Sequence, residues 1–346
     1  MKIALDATYS VGRHLSGVGV YSREMLQGLA AAHPEGEYVH CYRAHRLMRG
    51  LEWSGRRTRV LGAGGPWCGY DVFHGLNQRL PESRLKRAVC TFHDLFVLTA
   101  EYSTAEFRAR FAAQARAAAE RSDLIIAVSE FTAGQVAGLL GVERGRLRVV
   151  PHGVRFRGGA EAESEREQVI LHVGAIQERK NLVRLIGAFE KAAPPGWRLV
   201  LAGSDGYGAE AVHARIAASP RRGEIEVTGW IPDDELDGWY RRAAVLAFVS
   251  LDEGFGIPAL EAMGRGLAVV ASRGTALEEV CGEAALLADP RDEDEMAGML
   301  GRLTGDGALR AEYAKRGRVR ARLYPWERAV EQTWGVYEEL MGGAGV

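Results

Sequence analysis

Val245-Leu246-Ala247-Phe248-Val249-Ser250-Leu251-Asp252-Glu253-Gly254-Phe255-Gly256-Ile257-Pro258-Ala259-Leu260-Glu261-Ala262-Met263 holds a complete structural unit in one run. Val245–Val249 is apolar at every position, the pattern of a strand covered on both faces. Two glycines follow, and Pro258 stands where a first helical turn would begin. Strand, glycine-containing loop and helix make up the repeating unit of a parallel α/β sheet. The loop at the carboxyl end of such a strand is where open α/β sheets bind their ligands.

The same pattern extends in both directions. Strand-sized apolar runs occur at Lys2–Asp6, Tyr38–Cys41, Val72–His74, Ala88–Thr91, Leu124–Val128 and Leu147–Val150. They resume at Val169–Val173, Leu199–Ala202, Glu226–Thr228, Val245–Val249, Ala268–Ala271 and Ala285–Leu287, with helical segments between. The alternation predicts two doubly wound parallel sheets with helices on both faces. Arg155–Gln168 is polar, Glu-rich and carries Gly158-Gly159, and reads as the linker. The expected division is 1–158, 159–323 and a terminal helix in 324–346. Trp326, Val330, Trp334, Tyr337 and Met341 recur there at helical spacing behind Pro325.

Composition narrows the function. The 346 residues carry a net charge of −1, with 26% charged and 47% hydrophobic residues, which excludes a disordered or fibrous chain. The charge is uneven. Residues 1–158 have 22 Lys and Arg against 14 Asp and Glu, and residues 159–346 have 22 against 31. A basic first half fits an anionic partner, or ordinary arginine use on solvated faces. Cys41, Cys68, Cys90 and Cys281 form no C-x-x-C pair, so zinc and thioredoxin-like chemistry are not expected. The first residues are too polar for a signal peptide, and no apolar run approaches the length of a membrane span. A soluble cytoplasmic protein is the expectation, with peripheral contact at an anionic membrane surface as its variant. No nucleic-acid partner is expected.

Four strings carry chemistry. In the first, the amides of Gly254, Phe255 and Gly256 precede a helix N-terminus, which favours an anion such as phosphate. Glu253 lies in the loop and Glu261 is expected in the first helical turn. They fit contacts to a sugar and a ribose diol, or merely a favourable first turn. In the second, His172-Val173-Gly174-Ala175-Ile176-Gln177-Glu178-Arg179-Lys180-Asn181 places two cations beside a helix start with Asn181 as its cap. Arg179 and Lys180 suit a diphosphate, or a solvated loop tip. The third, Ser16-Gly17-Val18-Gly19-Val20-Tyr21, reads as a loop whose backbone approaches a ligand. Its third glycine is replaced by Ser22, and Cys41 and Tyr42 stand where a nicotinamide-nucleotide binder wants an acid, which speaks against an oxidoreductase. The fourth, Thr91-Phe92-His93-Asp94, ends a strand with a histidine aimed at a cleft, with Asp94 as a cap or as the group orienting the ring. Asp292-Glu293-Asp294 matches a metal-binding D-x-D string but reads as an acidic helix start, so no metal is expected.

Together, Gly17 through Tyr21, Phe92-His93-Asp94, Val128-Ser129-Glu130-Phe131-Thr132, Val150-Pro151-His152-Gly153-Val154, Gly174 through Asn181, Leu201-Ala202-Gly203, Thr228-Gly229-Trp230-Ile231-Pro232 and Glu253 through Glu261 resemble the retaining glycosyltransferases of family 4. Phe73-His74-Gly75-Leu76-Asn77-Gln78 is similar to bacterial mannosyltransferases of polysaccharide assembly. The resemblance implies the GT-B architecture: two facing Rossmann-like domains, the first on the acceptor side and the second binding the nucleotide sugar, with a last helix crossing back to the first. It implies a hexose, best mannose from GDP-mannose, moved to a glycan or lipid-linked acceptor without a cofactor.

By the same resemblance, Lys180 and Arg179 hold the donor pyrophosphate, and Gly254, Phe255 and Gly256 meet the sugar and phosphate. Glu253 contacts the transferring sugar, Glu261 the ribose, and Trp230 and Ile231 the base. Gly17 and Gly19 admit the donor phosphate, and His93 contacts the donor sugar. His93, Lys180 and Glu253 are the expected catalytic residues. Ala175 departs from the family, in which a hydroxyl or basic residue often follows the glycine. A nucleotide-sugar epimerase of this fold, or a non-catalytic sugar-nucleotide binder, is the alternative.

Overall fold

A computed structural model describes residues 1–12, 15–54, 58–61, 69–155 and 166–342. It contains two parallel sheets. The first holds β1 (Lys2–Asp6), β2 (Glu37–Arg43), β3 (Thr58–Leu61), β4 (Val72–Gly75), β5 (Ala88–Phe92), β6 (Leu124–Ala127) and β7 (Leu147–Val149). The second holds β8 (Glu167–Val173), β9 (Arg198–Ala202), β10 (Ile225–Gly229), β11 (Ala243–Phe248), β12 (Ala268–Ser272) and β13 (Leu286–Ala288). Their orders are β3-β2-β1-β4-β5-β6-β7 and β10-β9-β8-β11-β12-β13. Each order reverses direction beside its first strand. β4 lies against β1 and β11 against β8, and such a switch point opens a crevice at the carboxyl ends of the two strands.

The sequence accounts for most of these elements. All of β5, β6, β11 and β12 is buried, as their unbroken apolar runs require. Side chains of Ser16, Thr104, Ser129, Thr275 and Asp292 cap the helices that follow them. Asp292 accepts from the amides of Asp294 and Glu295, so the D-x-D string is a helix start. Two expectations change. β3 was not anticipated, and the stretch expected as linker already contains the first two residues of β8, Glu167 and Gln168. Arg166 explains the second change: its guanidinium donates to the carbonyls of Tyr240, Ala243 and Arg265 and fixes the start of the strand.

The chain divides into two compact units, residues 1–153 with 325–346, and residues 154–324. The boundary expected at 158/159 and Cys68 fall outside the described residues. The helix Trp326–Gly342 belongs to the first unit, and its apolar face enters that core with Trp326, Val330, Trp334 and Tyr337. Gly28 on the helix Gly17–Ala32 makes room for it: a Cβ there would come within 2.4 Å of Val330. Trp334 stacks on His33 at 4.0 Å, and Tyr337 reaches the buried His74 at 2.5 Å.

Because Trp334 is buried and stacked, Trp334→Ala should destabilise the first unit by about 3–5 kcal/mol. Hydrogen exchange under increasing urea is the measurement. Protection should fall in Gly17–Ala32 and persist in the second-unit helix Leu182–Ala192, and an equal change in both would refute the assignment.

Candidate active site

In the second unit the switch point carries the densest cluster of buried charge among the described residues. β8 leads into Gly174 and then the single helical turn Glu178–Lys180. β11 leads through Ser250 and Leu251 to Glu253. Backbone and side-chain bonds tie the two loops together. The amide of Leu251 donates to the Arg179 carbonyl at 2.8 Å. Asn181 takes a left-handed conformation at φ 62°, and its amide group donates to the carbonyls of Val249 and Pro290 at 3.1 and 2.6 Å. Asn181 was expected to cap the next helix with its side chain, and it does not. Its side chain is spent on holding three loops in register.

That clamp brings Arg179, Lys180 and Glu253 together. Lys180 Nζ and Arg179 Nη1 both donate to one oxygen, Glu253 Oε2, at 2.7 and 2.9 Å. Arg179 Nη1 also donates to the carbonyl of Asp252 at 2.6 Å. The three side chains are only 8–15% exposed. Burial alone would raise the Glu253 pKa, but the two cations outweigh it and hold the carboxyl down to about 2. Lys180 Nζ also sits 4.5 Å above the ring of Phe248.

Past Glu253 the chain turns into the helix Ile257–Gly264 through Gly254, Phe255 and Gly256, all buried. Gly256 has φ 103°, and a Cβ there would meet Leu277 at 2.3 Å, so no other residue fits. Phe255 packs edge-on against Tyr324 at 5.8 Å. Glu261 was expected in the first helical turn but lies in the second, and no acid occupies the first. Tyr240 donates its hydroxyl to Glu261 Oε2 at 3.0 Å. Burial and the neighbouring carboxylate push the Tyr240 pKa far up, so it stays a donor. Tyr240 carries no motif; only the packing of its helix Asp233–Arg242 reveals it. Trp230 and Ile231 follow β10, the edge strand, with β9 between it and β8. Trp230 is 46% exposed and Ile231 half-buried. They share the carboxyl edge of the sheet with the ion cluster.

The first-unit residues turn out differently. Gly17 and Gly19 were expected in a loop, but they open the helix Gly17–Ala32, with Ser16 accepting from the Gly19 amide. Gly19 is needed for packing, because a Cβ would lie 2.9 Å from the Tyr9 carbonyl; Gly17 faces open space. Asp94 does not cap the short helix Phe96–Thr99, which has no side-chain cap. His93 is 7% exposed and both its ring nitrogens are engaged. Nε2 lies 2.9 Å from the Leu76 carbonyl, which can only accept, so Nε2 carries the proton. Nδ1 then accepts from His152 Nε2 at 3.2 Å. Burial lowers the His93 pKa to about 4, so the ring is neutral. Thr91 bridges His74 and the Tyr21 hydroxyl at 2.8 and 3.0 Å, and Tyr21 meets the His93 ring edge-on at 4.7 Å.

Among the described residues no three His, Cys, Asp or Glu converge as metal ligands, and no helix is long and apolar enough to cross a membrane. Two family models match successive stretches: Glycosyltransferase Family 4 over residues 68–156 and Glycosyl transferases group 1 over residues 159–320. This chain is a glycosyltransferase. The transferase is 28% identical to the O-antigen chain mannosyltransferase B of Escherichia coli, over 98% of this chain and the full length of that one. Its fold matches a sucrose-phosphate synthase of Thermosynechococcus elongatus at TM-score 0.75 and 21% identity, over 99% of both chains. It also matches the Anabaena protein HepE, solved with UDP and glucose, at TM-score 0.75 and 16% identity, over 98% of this chain and all of that one. These neighbours are GT-B glycosyltransferases, and the two parallel sheets are those of that fold.

The depressed pKa of Glu253 has a signed consequence for the transferase. Its folded pKa lies below the usual ~4.5, so the ion cluster stabilises fully above that value and loses its contribution as pH falls toward 2. The unfolding free energy of wild type minus that of Glu253→Gln should therefore be largest above about pH 5, on the order of 3 kcal/mol, and shrink below it. Urea titrations between pH 3 and 7 measure this, and a pH-independent difference would refute the paired state.

Proposed function

We propose that this transferase is a retaining mannosyltransferase taking mannose from GDP-mannose to a glycan or lipid-linked acceptor. The observation that carries the reading is the buried convergence of Lys180 and Arg179 on one oxygen of Glu253 at the β8/β11 switch point. A diphosphate has the oxygens to take over both donors, and Arg offers it a fork geometry. The end-to-end match to an O-antigen mannosyltransferase supports mannose as the sugar.

The residues then divide the work. Lys180 and Arg179 take the donor diphosphate, and the backbone of Gly254–Gly256 meets its sugar and phosphate. Glu253, released by the cations, contacts the transferring sugar. Glu261, braced by Tyr240, accepts from the ribose hydroxyls, and Trp230 and Ile231 line the base. In the reaction the bond from the anomeric carbon to the phosphate oxygen breaks, and the acceptor oxygen bonds to that carbon on the same face. The acceptor proton passes to the departing phosphate. Negative charge grows on the diphosphate, and the two cations stabilise it there more than in the ground state. This route assigns no step to a metal or a protein nucleophile. The first unit takes the acceptor, and the basic balance of residues 1–158 fits one that is anionic or held at an anionic membrane. Since both ring nitrogens of His93 are engaged, its part is to hold the first unit's polar core in place.

Lys180→Ala and Glu253→Ala should each lower the transfer rate by about a hundredfold or more with the fold retained by circular dichroism. Near-normal rates in both would overturn the site. A thermal-shift panel of UDP, GDP, ADP and their sugars should show its largest rise with GDP-mannose. A larger rise with a UDP- or ADP-sugar would reject mannose.

A further inference from the structure

One buried polar atom beside the ion cluster, His172 Nε2, has no hydrogen-bond partner among the described residues. His172, near the end of β8, is fully buried. Its Nδ1 lies 3.1 Å from the Ala247 carbonyl, which can only accept, so Nδ1 holds the proton and Nε2 presents a lone pair. Nε2 makes no hydrogen bond. Burial, followed by the nearby Lys180, lowers the His172 pKa to about 3, so the ring does not gain a second proton at neutral pH.

The direction of this lone pair can be located. Gly174 has φ 144°, and the point where its Cβ would stand is 3.6 Å from His172 Nε2 and 3.6 Å from Lys180 Nζ. Gly174 is half-buried, and the missing side chain leaves the covered His172 Nε2 and the Lys180 side chain beside one another, with Lys180 Cε 3.2 Å from the same point. The Phe248 ring fixes both groups, with His172 stacked on it at 5.8 Å and the Lys180 ammonium 4.5 Å above it. An acceptor and a cationic donor therefore face one small vacancy.

Such a pair has a narrow chemical preference. A phosphate oxygen accepts from Lys180 but has no proton to give, and its charge is repelled by the Nε2 lone pair. A hydroxyl satisfies both, donating to Nε2 while accepting from Nζ. We propose that His172, with Lys180 over Gly174, is a specificity-determining residue that reads one hydroxyl of the nucleotide-sugar donor. The inference rests on the donor reading above and adds a recognition element to it. Two sources share this chemistry, the hexose and the ribose.

The test is calorimetric titration of wild type, His172→Phe and His172→Gln with GDP-mannose, its 2-, 3-, 4- and 6-deoxy analogues, GDP and 2′- and 3′-deoxy-GDP. Phenylalanine keeps the stacking on Phe248 and removes the acceptor, whereas glutamine restores an acceptor through its amide oxygen. His172→Phe should weaken GDP-mannose binding by about 10- to 100-fold, and His172→Gln should recover most of it. For one deoxy analogue, wild type and His172→Phe should bind alike, and that analogue identifies the hydroxyl. A hexose hydroxyl leaves GDP binding unchanged in His172→Phe, while a ribose hydroxyl makes GDP and one deoxy-GDP follow the same rule.

If His172→Phe weakens every ligand equally, or none, the atom is satisfied by a fixed water and the proposal is overturned. If His172→Phe does not fold, nitrogen NMR of histidine-labelled wild type decides. The Nε2 resonance should move when GDP-mannose is added and stay in place with the matching deoxy analogue, and an unmoved resonance with GDP-mannose overturns the proposal. Wild type that binds neither GDP-mannose nor GDP would bring down the donor reading, and this inference with it. Intact wild-type binding with no His172 dependence sinks the inference alone.

Discussion

Two cations held against a single carboxylate oxygen, away from most water, is the constraint around which the second unit is built. A buried charge without a partner is strongly destabilising, so removing Glu253 strands both Arg179 and Lys180. Their positions depend in turn on the neutral contacts around them. Asn181 bonds the β8 loop to β11 and to the loop before the helix Glu293–Gly305. Gly256 turns the chain where no side chain has room, and Phe248 lies under both Lys180 and His172.

The first unit solves burial in the opposite way. Its polar interior holds His74, His93 and His152, all with pKa values lowered by burial, so it contains no comparable charge. Tyr337 and Thr91 each bond His74, and Thr91 also bonds Tyr21, so hydrogen bonds run from the terminal helix through β4 to β5. Neutral groups with satisfied hydrogen bonds are inexpensive to bury, and such networks fix a single arrangement of the core. The contrast separates a first unit whose buried histidine network is neutral from a second unit built around a buried ion cluster.

Much of the site was legible because its parts are local. Glu253, Gly254, Gly256 and Glu261 lie on one strand-loop-helix unit, and Arg179 and Lys180 on another. The glycines and the apolar runs mark both units in one dimension. Less was legible where side chains chose distant partners. Asn181 looks like a cap because caps are Asn-rich, yet its amide is used across more than sixty residues of sequence. His93 looks available at a strand end, yet Leu76 and His152 close around it. Tyr240 and His172 gave no signal, since a tyrosine on a helix and a histidine in a strand are unremarkable without their neighbours.

The amino-acid sequence by itself determined the fold class and the two strand-loop-helix units that carry the charged residues. Periodicity, glycines and capping residues act over a few residues and need no partner from elsewhere. Only the tertiary structure decided which carboxylate meets which cation, and which histidine is sealed and which keeps a lone pair. Those outcomes depend on desolvation and on contacts between segments far apart in the chain, and neither is encoded at any single position.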